Sequence, residues 1–302
     1  MPLIVPKGLR ATESLRREGA ILLEEVPDGV RPLRVILLNL MPKKEATEAD
    51  FLRVLSQTPL YVQLVFMKIS RQTYKNTPIE HMQTFYNDFE ALADDYYDGL
   101  IVTGAPIEHM PFESVRYWTQ LSLIFTWART HVSSTLYVCW GAQAGLYYHF
   151  GVPKYDLPEK MFGVFDQNQL EPECPIFRGF DSHFYMPHSR HTELRRADIE
   201  GIAELSIIAE SPLSGVSVVK AYEGREFYVT GHLEYAPLTL DGEYKRDVAK
   251  NLPIKRPHNY YVDDDPEKGV NVTWRAQARM FYMNWLHEYV NPDLLIKHPT
   301  RR

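Results

Sequence analysis

Short apolar runs and longer amphipathic stretches alternate through the first half of the chain. Residues 33–39 hold Leu33, Val35, Ile36, Leu37 and Leu38 in near-continuous sequence, the signature of a strand buried on both faces. After the Met41-Pro42 break, residues 45–55 switch period and place Phe51, Leu52 and Leu55 on one side of a helix. The rhythm then repeats. It predicts a strand at 61–67, a helix at 78–89 opened by Thr77-Pro78, a strand at 99–103, an aromatic-rich helix at 113–129 and a strand at 135–138. Strands spaced by helices call for right-handed crossovers and a mostly parallel sheet flanked by helices. Ligands of such sheets sit beyond the carboxyl ends of the strands.

The second half has a tighter rhythm. Residues 206–209, 216–219 and 227–230 are apolar strands joined by short Ser/Pro/Gly and Glu-Gly-Arg turns. Connections that short suit an antiparallel extension of the same sheet. Helices are expected at 243–250 and 274–289. No Pro/Gly/Ser linker divides the chain, so residues 1–302 are expected to form one elaborated α/β domain with 1–32 as an N-terminal extension.

Composition narrows the function. The 302 residues are 45% hydrophobic, enough for a sizeable core. A net charge of −6 argues against nucleic acid and anionic membranes as whole-surface partners. No apolar run approaches the ~18 residues of a membrane span, and the N-terminus lacks a signal-peptide core. A cytoplasmic location is therefore expected. Two cysteines cannot build a disulfide framework or a cysteine-rich zinc site, and no metal is expected.

Three loops that follow predicted strands have unusual composition. Thr103-Gly104-Ala105-Pro106 admits close backbone approach to a ligand, or is a simple turn. Val138-Cys139-Trp140-Gly141-Ala142 runs a strand directly into a helix with a small-residue first turn. That is the sequence of a nucleophile elbow, with sulfur at a helix N-terminus that favours thiolate. Free Cys is also among the most buried residue types, so a core role stays open. Thr230-Gly231-His232-Leu233-Glu234 sets an imidazole and a carboxylate two apart, on one face of extended chain. Together Cys139, His232 and Glu234 form a Cys-His-Glu constellation suited to acyl transfer through a thioester. Cys174 lies between Glu173 and Pro175, where acidic neighbours raise a thiol pKa, and is expected to be inert.

Blocks running the length of the chain resemble the homoserine O-succinyltransferase and O-acetyltransferase family of methionine biosynthesis. They include Leu38-Asn39-Leu40-Met41-Pro42-Lys43-Lys44, Asn76-Thr77-Pro78-Ile79-Glu80-His81, Asp98-Gly99-Leu100-Ile101-Val102-Thr103-Gly104-Ala105-Pro106, Cys139-Trp140, Pro187-His188-Ser189-Arg190 and Arg246-Asp247-Val248. The resemblance implies a class I glutamine amidotransferase-like (flavodoxin-like) fold. It implies Cys139 as the acyl-thioester nucleophile, His232 as proton acceptor and Glu234 as its partner. Lys160, Ser189 and Arg246 match substrate-binding positions; a cation there would pair with an amino-acid carboxylate. The residue two after Pro106 divides the family by acyl donor, and here it is Glu108. A carboxylate would repel the distal carboxylate of a succinyl group, so acetyl is the expected acyl group.

These residues imply a ping-pong homoserine O-acetyltransferase. Acetyl-CoA is its co-substrate and L-homoserine its acceptor, with backbone amides near Gly104, Ala105 and Trp140 holding the oxyanion. Lys43 and Lys44 are candidates for meeting the anionic coenzyme, and the aromatic helix offers a possible homodimer face. Two positions depart from the family pattern. Its usual His-Pro-Glu reads His232-Leu233-Glu234, which frees φ at one position, and an aromatic usual after Pro-His-Ser-Arg is His191. Succinyl-CoA as donor or L-serine as acceptor, one methylene shorter, are alternatives of the same mechanism. A glutamine-hydrolysing amidotransferase is the alternative from another class, and a non-enzymatic binding module a third.

Overall fold

The computed structural model describes residues 2–70, 74 and 76–291. The first strands are β1 (Leu3–Ile4), β2 (Leu22–Leu23), β3 (Leu33–Leu38), β4 (Val62–Lys68), β5 (Tyr86–Asp88), β6 (Tyr97–Val102) and β7 (Val132–Val138). They are followed by β8 (Tyr155–Gln169), β9 (His183–Glu193), β10 (Leu205–Ser211), β11 (Gly215–Ala221) and β12 (Glu226–Val229). The helices are α1 (Thr12–Arg17), α2 (Lys44–Leu55), α3 (Ile79–Phe85), α4 (Trp118–His131), α5 (Trp140–Phe150), α6 (Thr239–Ala249) and α7 (Arg275–Trp285).

All these strands join one sheet in the order β2-β1-β4-β3-β6-β7-β12-β11-β10-β8-β9, with β5 beside β4. From β2 to β12 every pairing is parallel. From β12 onward every pairing is antiparallel. Strand β12 is therefore the seam, parallel to β7 on one side and antiparallel to β11 on the other. The chain places β4 on one side of β3 and β6 on the other, which opens a crevice at the carboxyl ends of the central strands. The fold class is the expected one: a mostly parallel α/β sheet with an antiparallel extension.

Two cores cover the two faces. Alternation within β3 sends Val35 and Leu37 to a core with Phe51 and Leu52 of α2 and Phe281 and Trp285 of α7. Ile36 and Leu38 point the other way, to Leu121 and Phe125 of α4 and Trp140 and Leu146 of α5. The near-continuous apolar run at 33–38 and the Leu100-Ile101-Val102 run of β6 are explained by that two-sided burial.

Several boundaries differ from expectation. The helix expected over 78–89 ends at Phe85, and Tyr86 begins β5. Tyr86 is drawn into the sheet because its hydroxyl donates to Glu48 Oε1 at 2.6 Å and accepts from Asn39 Nδ2 at 2.9 Å. The helix expected from 113 starts at Trp118, after a short 3-10 turn at Phe112–Ser114. The long β8–β9 hairpin was not expected at all. Its residues interleave Pro, His and charged side chains with apolar ones on both faces, which hides the period-2 pattern. Residues 274–289 form α7 and then a π-helical turn, Leu286–Val290.

Candidate active site

The strand-to-helix turn is strained where the sequence places the thiol. Cys139, between β7 and α5, has φ 53° and ψ −118°, a region that costs a non-glycine residue roughly 1–3 kcal/mol. Its surroundings impose it. The Cys139 N–H donates to Val229 O at 2.7 Å, while its carbonyl accepts from Ala142 and Gln143 at 3.0 and 3.2 Å. The helix start also presses on neighbouring backbone: a Cβ at Gly141 would lie 2.7 Å from Thr103 O and 2.8 Å from Val102 O. A larger residue would push α5, and the sulfur with it, away from β6. The loop after β6 lies against Cys139 too. A Cβ at Gly104 would sit 3.2 Å from Cys139 Cβ and 3.7 Å from Trp140 N. Gly104 and the Trp140 amide thus share one small space with Cys139, and Ala105 is buried beside them.

His232 arrives from the end of β12. Its backbone N–H donates to Pro187 O at 2.7 Å, tying the loop to β9. Nδ1 faces Glu234 Oε1 at 2.7 Å, and the ring stacks on Tyr235 with centroids 4.1 Å apart. The other side of the ring hydrogen-bonds Cys139. With Nδ1–H assigned to Glu234, Nε2 is the atom left for the sulfur. Burial alone would lower the His232 pKa, but the charges and hydrogen bonds of Cys139 and Glu234 outweigh it and raise it well above the usual value. The site favours the imidazolium form of His232.

A second cation stands behind the thiol. Arg190 of β9 is buried and donates to Thr192 O at 2.6 Å and to Ser214 O. Burial pushes its pKa down to about 10 while the charge of Cys139 pulls it up. It therefore stays cationic at neutral pH. His188, on the same strand, is held well below the usual histidine range by burial and by the Arg190 and His232 cations. Neither role was read from the sequence, because a cation in Pro-His-Ser-Arg gives no sign of being buried.

The substrate-binding candidates gather around two carboxylates on α6. Lys160 Nζ of β8 lies 3.1 Å from Glu243 Oε2 and 3.5 Å from Asp247 Oδ2. Ser189 Oγ of β9 donates to the same Glu243 oxygen at 2.5 Å. Tyr235, stacked on His232, donates to Glu243 Oε1 at 3.2 Å. Arg246 holds Asp247 through two hydrogen bonds of 2.6 and 3.0 Å. Glu243 is thus the hub that joins Lys160 and Ser189 to the His232 side, and the sequence reading missed it. The signal available was spacing: Glu243, Arg246 and Asp247 recur at three and four residues, one helix face. Lys160, Ser189 and Arg246 do come together.

Other candidates are placed differently. Glu108 lies past the β6 loop, where its carbonyl accepts from Lys154 and its carboxylate faces His191. His191 also faces Lys160, Asp247 and His109, so it stands between Glu108 and the α6 carboxylate cluster. Lys44 corrects an expectation. It is 3% exposed, its ammonium donates to Asn39 O, and burial lowers its pKa to about 8. An amine so enclosed cannot dock a coenzyme; Lys43 beside it is exposed. Cys174 is buried with its sulfur 3.5 Å from the Tyr289 hydroxyl, and precedes a single 3-10 turn that the sequence did not reveal. No helix among the described residues is long and apolar enough to cross a membrane.

A family model described as homoserine O-succinyltransferase matches residues 2–293. A protein of Parabacteroides distasonis named homoserine O-acetyltransferase is 57% identical over 96% of this chain and 94% of its own length. Proteins of the same name from Bacteroides fragilis and Brevibacillus brevis are 57% and 50% identical over 96% of both chains. Among solved structures, a glutamine amidotransferase of Thermotoga maritima superposes with a TM-score of 0.54. It is 12% identical and covers 86% of this chain and 98% of its own. One from Methylobacillus flagellatus gives 0.54 at 12% identity, covering 86% and 96%. These two likenesses concern the fold alone.

Proposed function

The chain belongs to the homoserine O-succinyltransferase family, and from that premise we propose that it is a homoserine O-acetyltransferase acting through a Cys139 thioester. The observation that supports the mechanism best is the left-handed elbow at Cys139 facing a buried His232–Glu234 pair 2.7 Å apart. In the first half-reaction Cys139 attacks the carbonyl of acetyl-CoA. The oxyanion is taken by backbone amides at Trp140 and the Gly104-Ala105 loop. The tetrahedral species collapses, the carbon–sulfur bond to the coenzyme breaks, and the thiol leaves with the proton from His232 Nε2. In the second half-reaction the hydroxyl of L-homoserine gives its proton to Nε2 and attacks the acetyl thioester. O-acetylhomoserine leaves, and the proton on Nε2 is again shared with the freed sulfur. Glu234 holds the imidazole in one tautomer throughout and offsets its positive charge.

The acceptor reading rests on the α6 cluster. Arg246 and Lys160 suit an α-carboxylate, and Glu243 suits an α-ammonium. In the structure these groups pair with each other, so the zwitterion would exchange contacts with them rather than enter a vacant charged pocket. The donor reading rests on Glu108. Two carboxylates about 4 Å apart repel by about 4 kcal/mol at an effective dielectric of 20, whereas acetyl carries no charge. The relatives named above are acetyltransferases by name. The reading places the enzyme in the cytoplasm, with small molecules as substrates.

Incubating the enzyme with acetyl-CoA and no acceptor should release one equivalent of CoA in a burst and add one acetyl group to the peptide containing Cys139. Cys139→Ser should abolish both. Full turnover by that variant would sink the thioester mechanism.

A further inference from the structure

We propose that Asp50 is a positioning residue for the catalytic loop, clamping its backbone at Ala236 and feeling the charge of Glu234. The proposal rests on the reading of Cys139, His232 and Glu234 as the acyl-transfer machinery. Asp50 lies on α2, far from these residues in sequence, and is only 14% exposed. It accepts a hydrogen bond from the backbone of Ala236, two residues beyond Glu234. Arg53, one turn further along α2, donates to Asp50 Oδ1 at 3.0 Å. The same guanidinium grips Glu18 through bonds of 2.8 and 3.1 Å. Glu18 caps α1, in the N-terminal segment that the sequence marks as an extension. A line of charged contacts therefore runs from Glu18 through Arg53 and Asp50 to the loop that bears His232.

Two features show what the clamp acts on. Glu234 Oε2 is buried and has no hydrogen-bond partner among the described residues, while Oε1 serves His232. An unpartnered buried carboxylate oxygen is costly unless another group restrains or neutralises its surroundings. The loop also contains Leu233, which leaves φ free where a proline would lock it. Restraint from Ala236 supplies from outside the loop what its own sequence lacks.

Electrostatics give the clamp a second consequence. Burial and the charge of Glu234 push the Asp50 carboxyl up to about 7, while Arg53 and the Ala236 backbone pull it back. Tyr235 of the loop and Tyr282 of α7 face both carboxylates. Glu18, at the outer end, faces Arg275 and Arg279 of α7 as well as Arg53. Below neutrality Asp50 holds a proton. Above it a second negative charge joins behind His232 and stabilises the imidazolium further.

The test reads the rate of Cys139 alkylation by iodoacetamide against pH, which needs neither acetyl-CoA nor acceptor. The wild-type profile should carry a step near pH 7 from Asp50. In Asp50→Asn that step should vanish, because the charge that produces it is gone. Superimposable wild-type and Asp50→Asn profiles would overturn the proposal. Asp50→Ala, which loses the acceptor for the Ala236 N–H as well, should lower turnover about tenfold more than Asp50→Asn through loop misplacement. Equal turnover in the two variants would overturn the clamp; if the alanine variant does not fold, the asparagine profile decides alone. Should Cys139→Ser leave the alkylation profile unchanged, the underlying reading of Cys139 fails instead, a separate result from failure at Asp50.

Discussion

Cys139 reaches its place through one continuous strand-to-helix turn, whereas the acceptor residues come from three separate elements. Around the thiol the chain uses small residues and backbone: Gly104, Gly141 and the amides of α5. Around Glu243 it uses long charged side chains from β8, β9 and α6 that neutralise one another. The first region is fixed by sterics that cannot relax without moving the sheet. The second is fixed by ion pairs and hydrogen bonds that a zwitterionic ligand can take over. The proposed ping-pong mechanism is served by that division: its chemistry in both half-reactions would use the rigid part, while only the second would need the exchangeable part.

Three variants would break or sharpen the comparison, from the largest expected effect to the smallest. His232→Asn removes the group to which the proposed mechanism assigns proton transfer in both half-reactions. Turnover and the CoA burst should both fall by about 10³-fold. A variant that retained a normal burst would show that Cys139 ionises without His232.

The second concerns the footing of the nucleophile helix. His149, in the last turn of α5, faces the Tyr137 hydroxyl of β7 at 3.2 Å and the buried Glu226 at 3.8 Å. Burial lowers its pKa from 6.5 to about 4. The folded state thus favours the neutral ring. Its contribution is complete above the unfolded value of about 6.5 and is lost as pH falls through about 4. The loss amounts to about 3 kcal/mol across that window. Thermal melts from pH 7 to pH 4 should show a steeper decline for wild type than for His149→Phe, and parallel declines would refute the assignment.

The smallest effect belongs to the acceptor side. Glu243→Gln keeps the shape of the hub but removes its charge, and should raise the acceptor KM about tenfold, the scale of one charge-assisted hydrogen bond. The acetyl-CoA burst should be unaffected. A slower burst would mean that the two regions are coupled rather than divided.

The same division separates what could be read in the chain from what could not. The elbow was legible because its determinants are adjacent in sequence: an apolar strand, Cys139, and a first turn with Gly141 and Ala142. His232 and Glu234 were legible because two residues in extended chain share a face. The parallel core followed from alternating periods, since burial on both faces leaves near-continuous apolar runs such as 33–38. Lys160, Ser189 and Arg246 had no local signal; a family resemblance pointed to them, and the fold shows the carboxylates around which they gather.

The sequence by itself determined the class of sheet, the nucleophile turn and the orientation of imidazole and carboxylate, all set by near-neighbour sterics and strand periodicity. Tertiary structure alone decided the rest. It buries Arg190 behind Cys139, encloses Lys44, makes Glu243 the hub of the acceptor cluster and brings Asp50 of α2 to the catalytic loop. The physical reason is that a charged side chain reads alike at the surface and in the interior. Only packing removes its water, and only removing its water makes its partners and its proton specific.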